Sequence, residues 1–156
     1  MRMTKQEVKD ESKETDGRPE VKARVRQLQR EASQRRMFQD LPDADVVITN
    51  PTHYSVALKY DTGGTGAPRV VAKGRDLIAL KIRTIAIEHD VPIYEEPPLA
   101  RALHGTTEIG DEIPGPLFLA VARVLAYVYH LRKSAPTDYI PRPAPAELPS
   151  EFEKYY

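Results

Sequence analysis

A chain of 156 residues is long enough for one domain with a real hydrophobic core and too short for two of ordinary size. Its residues are 40% hydrophobic and 29% charged, as in soluble globular proteins, and 23 basic against 23 acidic side chains leave no net charge to recruit nucleic acid or an anionic membrane. The absence of cysteine excludes disulfides, thiolate nucleophiles and cysteine metal sites, and nothing after Met1 reads as a signal peptide.

Met1 to Glu20 is rich in Lys, Glu and Asp and has almost no apolar anchor, which marks a linker or a solvated helix. Val21 to Gln39 reads as a helix with basic side chains at Lys22, Arg24, Arg26, Arg30, Arg35 and Arg36. Its apolar stripe, Val21, Val25, Leu28 and Ala32 with Met37 as a further member, is too narrow for firm docking. Leu41-Pro42-Asp43 ends it, because proline disfavours helical backbone in the residue before it. Residues 1–43 are therefore read as a linker with a basic helix, ahead of a compact domain over 44–133.

In that domain Val46-Val47-Ile48 is β-branched throughout, and Tyr54, Val56, Leu58 and Tyr60 alternate with Ser55, Ala57 and Lys59, so strand, turn, strand is expected. A glycine-rich loop, Asp61 to Gly66, leads to a third strand, Arg69 to Lys73. Asp76 is placed to cap a helix running to His89, with Leu77, Ile78, Leu80, Ile82, Ile85 and Ile87 as its buried side. A fourth strand follows at Ile93-Tyr94-Glu95. The strand, helix, strand succession predicts a parallel pair joined by a right-handed crossover. Pro97-Pro98 opens a short helical turn, Leu99 to His104. After a polar loop, Gly105 to Glu112, a last helix from Pro114 to Lys133 carries a wide apolar face, Leu117 to Val128. That face is core unless part of it proves uncovered. Prolines 136, 141, 143, 145 and 149 exclude regular structure beyond Ser134, so 134–156 is expected as a disordered, proline-rich tail. The fold class is α/β: a small mixed four-stranded sheet surrounded by helices, with a linker helix in front and a disordered tail behind.

Between the first two strands stand Asn50, Pro51, Thr52 and His53. Asparagine before proline has unusual chemistry. Deamidation requires a hydrogen on the following backbone nitrogen, and proline has none. What remains is attack by the Asn50 side-chain nitrogen on its own backbone carbonyl, which expels Pro51 as a new N-terminus and leaves a succinimide on Asn50. An amide nitrogen is a poor nucleophile, so a fold must hold it close, donate to the developing oxyanion and accept the proton. Thr52 offers a hydroxyl and an amide. His53 offers an imidazole as base or orienter, and a water or hydroxide is the alternative base. Asn-Pro is also ordinary turn chemistry, so spacing alone leaves self-cleavage and a plain turn both open.

Other features carry less. His89, His104 and His130 are scattered without metal-ligand spacing, so neither a metal nor any other cofactor is expected. Ser55, His53 and Asp61 invite a triad, but no nucleophile-elbow pattern accompanies them. Pro97, Pro98, Leu99 and Arg101 form a rigid, exposed-looking stretch suited to docking a partner, or a plain connector.

Three stretches carry a resemblance: TNPTHYSVALKY, APRVVAKGRDLIALKIRTIAIEHDVPIYEEPPLARAL and GDEIPGPLFLAVARVLAYVY. The chain from Met1 to about Arg132 resembles the C-terminal cytoplasmic domain of the FlhB/YscU/SpaS family, the autocleaving switch proteins of type III secretion, in its flagellar branch. The resemblance implies cleavage between Asn50 and Pro51, with Thr52 and His53 as motif partners and the two fragments still associated. It implies a membrane-embedded export-gate portion ahead of this domain, which would then lie at the cytoplasmic face of the bacterial inner membrane. It further implies a switch from rod- and hook-type to filament-type export substrates. The partners implied are other export-apparatus proteins, a hook-length control protein and the substrates themselves. Such cleavage is one intramolecular event per molecule, without turnover. Two alternatives stand beside it: a non-cleaving docking module of the export apparatus, and a nucleic-acid-binding domain using the basic helix, which the dilution of its charge by Glu and Asp disfavours.

Overall fold

The computed structural model of the protein describes residues 18–51, 53–61, 66–135, 137 and 139–156. They fall into two units, Met1–Arg36 and Met37–Tyr156. Helix α1, Pro19–Asp40, lies mostly in the first unit, where its narrow stripe stays exposed at Val21, Val25 and Leu28. Side-chain bonds from Arg24 to Gln27 and from Gln27 to Glu31, 3.4 and 3.3 Å, lace its surface, each stabilising it by only about 0.2–0.5 kcal/mol. The last turn of α1 belongs to the second unit. Met37 and Leu41, the latter in a 3-10 turn over Leu41–Asp43, are buried there, so residues read as linker supply core side chains.

Four strands make one sheet: β1 (Val46–Asn50), β2 (Tyr54–Lys59), β3 (Arg69–Arg75) and β4 (Ile93–Glu95), in the order β3-β2-β1-β4. β2 is antiparallel to both β1 and β3, while β4 runs parallel to β1. β1 is buried at every residue, which is why it needs no polar alternation. Helix α2, Leu77–Glu88, carries the chain from β3 to β4. The two strands run parallel, as expected, but are not neighbours: the connection crosses to the opposite edge of the sheet, where β4 pairs with β1. Local patterning supplies the parts of a crossover but not the receiving strand. That choice falls to β1, whose Val46, Val47 and Ile48 are all fully buried between β2 and β4.

Helices cover both faces. On one, Val47, Ala57 and Ala72 meet Ile82 and Ala86 of α2, together with Met37, Leu41 and Val91. On the other, Val46, Ile48, Val56, Leu58 and Val70 lie under α3 (Pro97–Thr106) and α4 (Phe118–Lys133), the latter preceded by a 3-10 turn, Gly115–Leu117. Each fully buried Val, Leu or Ile contributes about 1.5–3 kcal/mol relative to exposure, so the sheet holds the domain together.

The proline-rich tail has no helix or strand from Tyr139 to Pro149, as its prolines require, and ends in a 3-10 turn over Ser150–Tyr155. Within this irregular segment Leu148 and Phe152, 8% and 6% exposed, join the cluster under α3 and α4. Composition weighs the prolines and overlooks these two apolar anchors.

Candidate functional site

β1 stops at Asn50 because Pro51 has no N–H with which to continue the ladder. β2 resumes at Tyr54, the register partner of Asn50, so the chain reverses within a tight turn. His53 N–H closes it by donating to the Asn50 backbone oxygen at 2.9 Å, the first-to-fourth bond of a β-turn with proline in second place. Asn50 is 9% exposed, Pro51 is half-buried and His53 is exposed. Thr52 lies outside the described residues.

Two further main-chain donors brace this turn. Glu96 N–H donates to Thr49 O at 3.0 Å, and Asp76 N–H donates to His53 O at 2.9 Å. Asp76 does not cap α2 as its sequence position suggests, since its side chain makes no capping bond. Its backbone instead sits at φ 54, ψ −118, a conformation that costs a non-glycine residue on the order of 1–3 kcal/mol and that aims its N–H at the turn. Close packing underlies that geometry. A Cβ on Gly74 would come within 2.2 Å of Ile78 Cγ2, so only glycine lets the first turn of α2 lie this near β3. Ser55 Oγ donates to Ala79 O at 3.0 Å and ties the same helix to β2.

On the other face the Tyr54 ring leans on His104 of α3, with centroids 4.7 Å apart. Lys73 Nζ donates to His104 O at 3.0 Å and lies 3.6 Å from the Glu108 carboxylate. Burial, and then the positive charges of Lys73 and Arg75, hold the His104 imidazole below its ordinary pKa of 6.5, with Glu108 opposing them. A neutral ring is thus favoured against Tyr54.

The remaining sequence candidates separate. Ser55 is buried and committed to Ala79, Asp61 pairs with Arg69 at 2.8 Å, and His53 is in the exposed turn, so no triad assembles. Among the described residues no three His, Asp or Glu side chains form a metal-binding group, and no helix is long and apolar enough to cross a membrane. Leu99 is a correction to the docking stretch. α3 starts at Pro97, which turns Leu99 inward with Ala100, Ala102 and Leu103, and it is wholly buried. Pro97 and Pro98 stay half-buried and line a groove with Arg142, Pro143 and Pro145 of the tail. Arg101 Nε donates to Tyr155 O. The apolar face of the last helix is partly uncovered: Phe118 and Leu119 line an open groove with Tyr60, Ala67, Pro68 and Leu125. Sequence reading could mark that face only conditionally, because which side chains a helix buries depends on what packs over it.

The family model described as FlhB HrpN YscU SpaS Family matches residues 1–128. Flagellar biosynthetic protein FlhB of Salmonella typhimurium is 55% identical over 149 residues, 96% of this chain and 39% of that protein. The protein of the same name from Bacillus subtilis is 52% identical over 133 residues, 85% of this chain and 37% of its own length. The chain thus spans about two fifths of these relatives. The crystal structure of the cytoplasmic domain of FlhB from Shewanella putrefaciens aligns with a TM-score of 0.69 at 45% identity, covering 76% of this chain and 94% of that one. The EscU C-terminal domain carrying an Asn-to-Asp substitution aligns with a TM-score of 0.57 at 32% identity, over 59% of this chain and 98% of that one. The resemblance read from the Asn-Pro-Thr-His stretch and the strands around it therefore holds, and the chain belongs to the FlhB HrpN YscU SpaS family.

Proposed function

We propose that this chain is the cytoplasmic part of a flagellar type III export protein. It cuts itself once between Asn50 and Pro51, and the cut changes the export apparatus from rod- and hook-type to filament-type substrates. The observation that carries the reading is the 2.9 Å bond from His53 N–H to the Asn50 carbonyl oxygen. That oxygen is where negative charge develops when the Asn50 side-chain nitrogen attacks the same carbonyl carbon. The turn thus supplies an oxyanion donor already in place. In the reaction a bond forms between the Asn50 side-chain nitrogen and the backbone carbonyl carbon, and the bond to the Pro51 nitrogen breaks. The proton lost by the amide ends on that nitrogen. His53, being exposed, is available as the base, with Thr52 beside it as the remaining motif residue.

The domain would lie at the cytoplasmic face of the inner membrane, behind a membrane-embedded portion of the same protein. Its partners would be export-apparatus proteins, a hook-length control protein and export substrates. Pro97, Pro98 and Arg101 remain the docking residues of the stretch read from the sequence; Leu99 acts from beneath by fixing α3 to the core. The intact mass of the denatured protein tests the cleavage. Two fragments, ending at Asn50 and beginning at Pro51, are expected. Their masses should sum to the uncut 17.6 kDa while the succinimide persists, because no water enters the cutting step. One full-length mass after long incubation at mildly alkaline pH would leave the non-cleaving docking module as the function.

A further inference from the structure

Among the described residues, the proline-rich tail meets the domain from the corner where β4 passes into α3 along that helix to Gly105. The Arg142 guanidinium lies 4.4 Å over the Tyr94 ring and donates to Glu95 O, on the sheet edge where the described residues add no further strand. Ala146 N–H donates to Glu96 Oε1 at 3.3 Å, giving a donor to a carboxylate that belongs to a residue only 7% exposed. Arg101 Nε donates to Tyr155 O, and the Tyr155 ring lies against Gly105, where a Cβ would come within 2.6 Å of it. Leu148 and Phe152 enter the apolar cluster beneath. The Tyr156 hydroxyl accepts from Leu148 N–H at 2.7 Å and folds the tail's end onto itself.

These contacts have the character of a bound peptide and not of a strand in the sheet. An arginine, a backbone amide and two apolar anchors each fill a separate subsite, and no ladder joins the tail to β4. Prolines at 141, 143, 145 and 149 fix φ in advance, so less chain entropy is lost on seating than in a flexible segment. We infer that the β4–α3 corner is a peptide-binding site. Its resident ligand is the chain's own residues 139–156, an extended, proline-spaced segment with an arginine for Tyr94 and an aromatic anchor for the pocket under α3. While seated, the tail forms one wall of the groove at Pro97 and Pro98 and holds Arg101 through Tyr155 O, so a partner that takes the tail's own contacts must displace it. Ligand and corner both lie within residues 51–156, so the occupancy does not depend on cleavage at Asn50.

Hydrogen exchange and peptide binding on the full chain test this. Amides of Leu148 and residues 150–156 should exchange at least about tenfold more slowly than in a free peptide of residues 139–156. Phe152→Ala should remove that protection and leave Val46 to Ile48 unchanged. Fluorescein-labelled peptide 139–156 should bind the full-length Phe152→Ala chain at least about tenfold more tightly than the unsubstituted chain, whose corner is occupied. Arg142→Ala, an exposed change, should give the same two results to a smaller degree. The inference is overturned if tail amides exchange at the free-peptide rate, or if the labelled peptide binds both chains equally or neither.

Discussion

The turn at Asn50–His53 and the tail over 139–156 are both irregular, proline-bearing segments on one domain, and they are held by different means. The turn is fixed by main-chain donors from three places, His53, Asp76 and Glu96. The tail is fixed largely through side chains: two guanidiniums, a carboxylate and two apolar anchors. A segment fixed through the sheet keeps its place even when a covalent bond within it is cut. β1 retains five register pairs with β2 and three with β4, all joining the part of the chain that ends at Asn50 to the part that begins at Pro51. A segment seated by side chains can leave as a unit and disturb nothing beneath it. On the function and the tail site proposed above, one region is cut without moving and the other moves without being cut.

Removing the cut breaks the comparison most completely. Asn50→Ala deletes the nucleophile and nothing else that the turn's main-chain bonds use, so the denatured protein should show a single mass and the folded protein an unchanged circular dichroism spectrum. An Asn50→Ala chain that still splits at this bond would sink the cyclisation chemistry. Next in size is the sheet itself. Ile48→Ala empties a fully buried site in β1 and should lower unfolding free energy by about 2–5 kcal/mol in urea titrations. The comparable deletion in the tail, Phe152→Ala, should cost clearly less, because local detachment limits the loss to the free energy of seating. Equal losses for the two would mean that the tail is part of the core and not a ligand of it. Smaller again, and opposite in sign, is Asp76→Gly. Glycine tolerates φ 54, so the variant should gain roughly 1 kcal/mol of stability, less any cost from the freer unfolded chain, while keeping the N–H aimed at His53.

What was legible in the sequence follows the range of the forces involved. β1 at Val46–Asn50 and the turn that follows it were readable because a β-branched run and Asn-Pro act within a few residues. The strand that β4 pairs with was not, since it depends on β1 presenting its edge across the sheet. Asp76 misled for the opposite reason. A helix-capping residue was in the right place, but tertiary packing around Gly74 and Ile78 sets its backbone for the turn instead. Thr52 and His53 could be named from the motif alone. That the His53 main-chain amide faces the Asn50 carbonyl is a property of the turn, which no side-chain inventory contains. Leu148 and Phe152 were hidden by the prolines around them, and Leu99 by the assumption that a helix opened by two prolines starts after them.

The smallest effect separates turn and tail by acidity. His104 leans on Tyr54 beside the turn, while residues 134–156 contain no histidine. Burial first, then Lys73 and Arg75, lower the folded-state pKa of His104 below 6.5, against a partial opposing pull from Glu108. Between the folded value and 6.5 the unfolded chain binds more protons than the folded one, so stability rises with pH across that window. The contribution is complete above about pH 6.5 and is lost as pH falls through the folded value. His104→Phe keeps a ring against Tyr54 and removes the titration. Urea midpoints from pH 7.5 down to 5 should therefore fall more steeply for the unsubstituted chain than for the variant. Exchange of the tail's amides, corrected for the intrinsic pH dependence, should respond alike in both. Parallel midpoint curves would show that neither burial nor the charges of Lys73 and Arg75 shift this ring's titration, and that the packing beside the turn is indifferent to its charge.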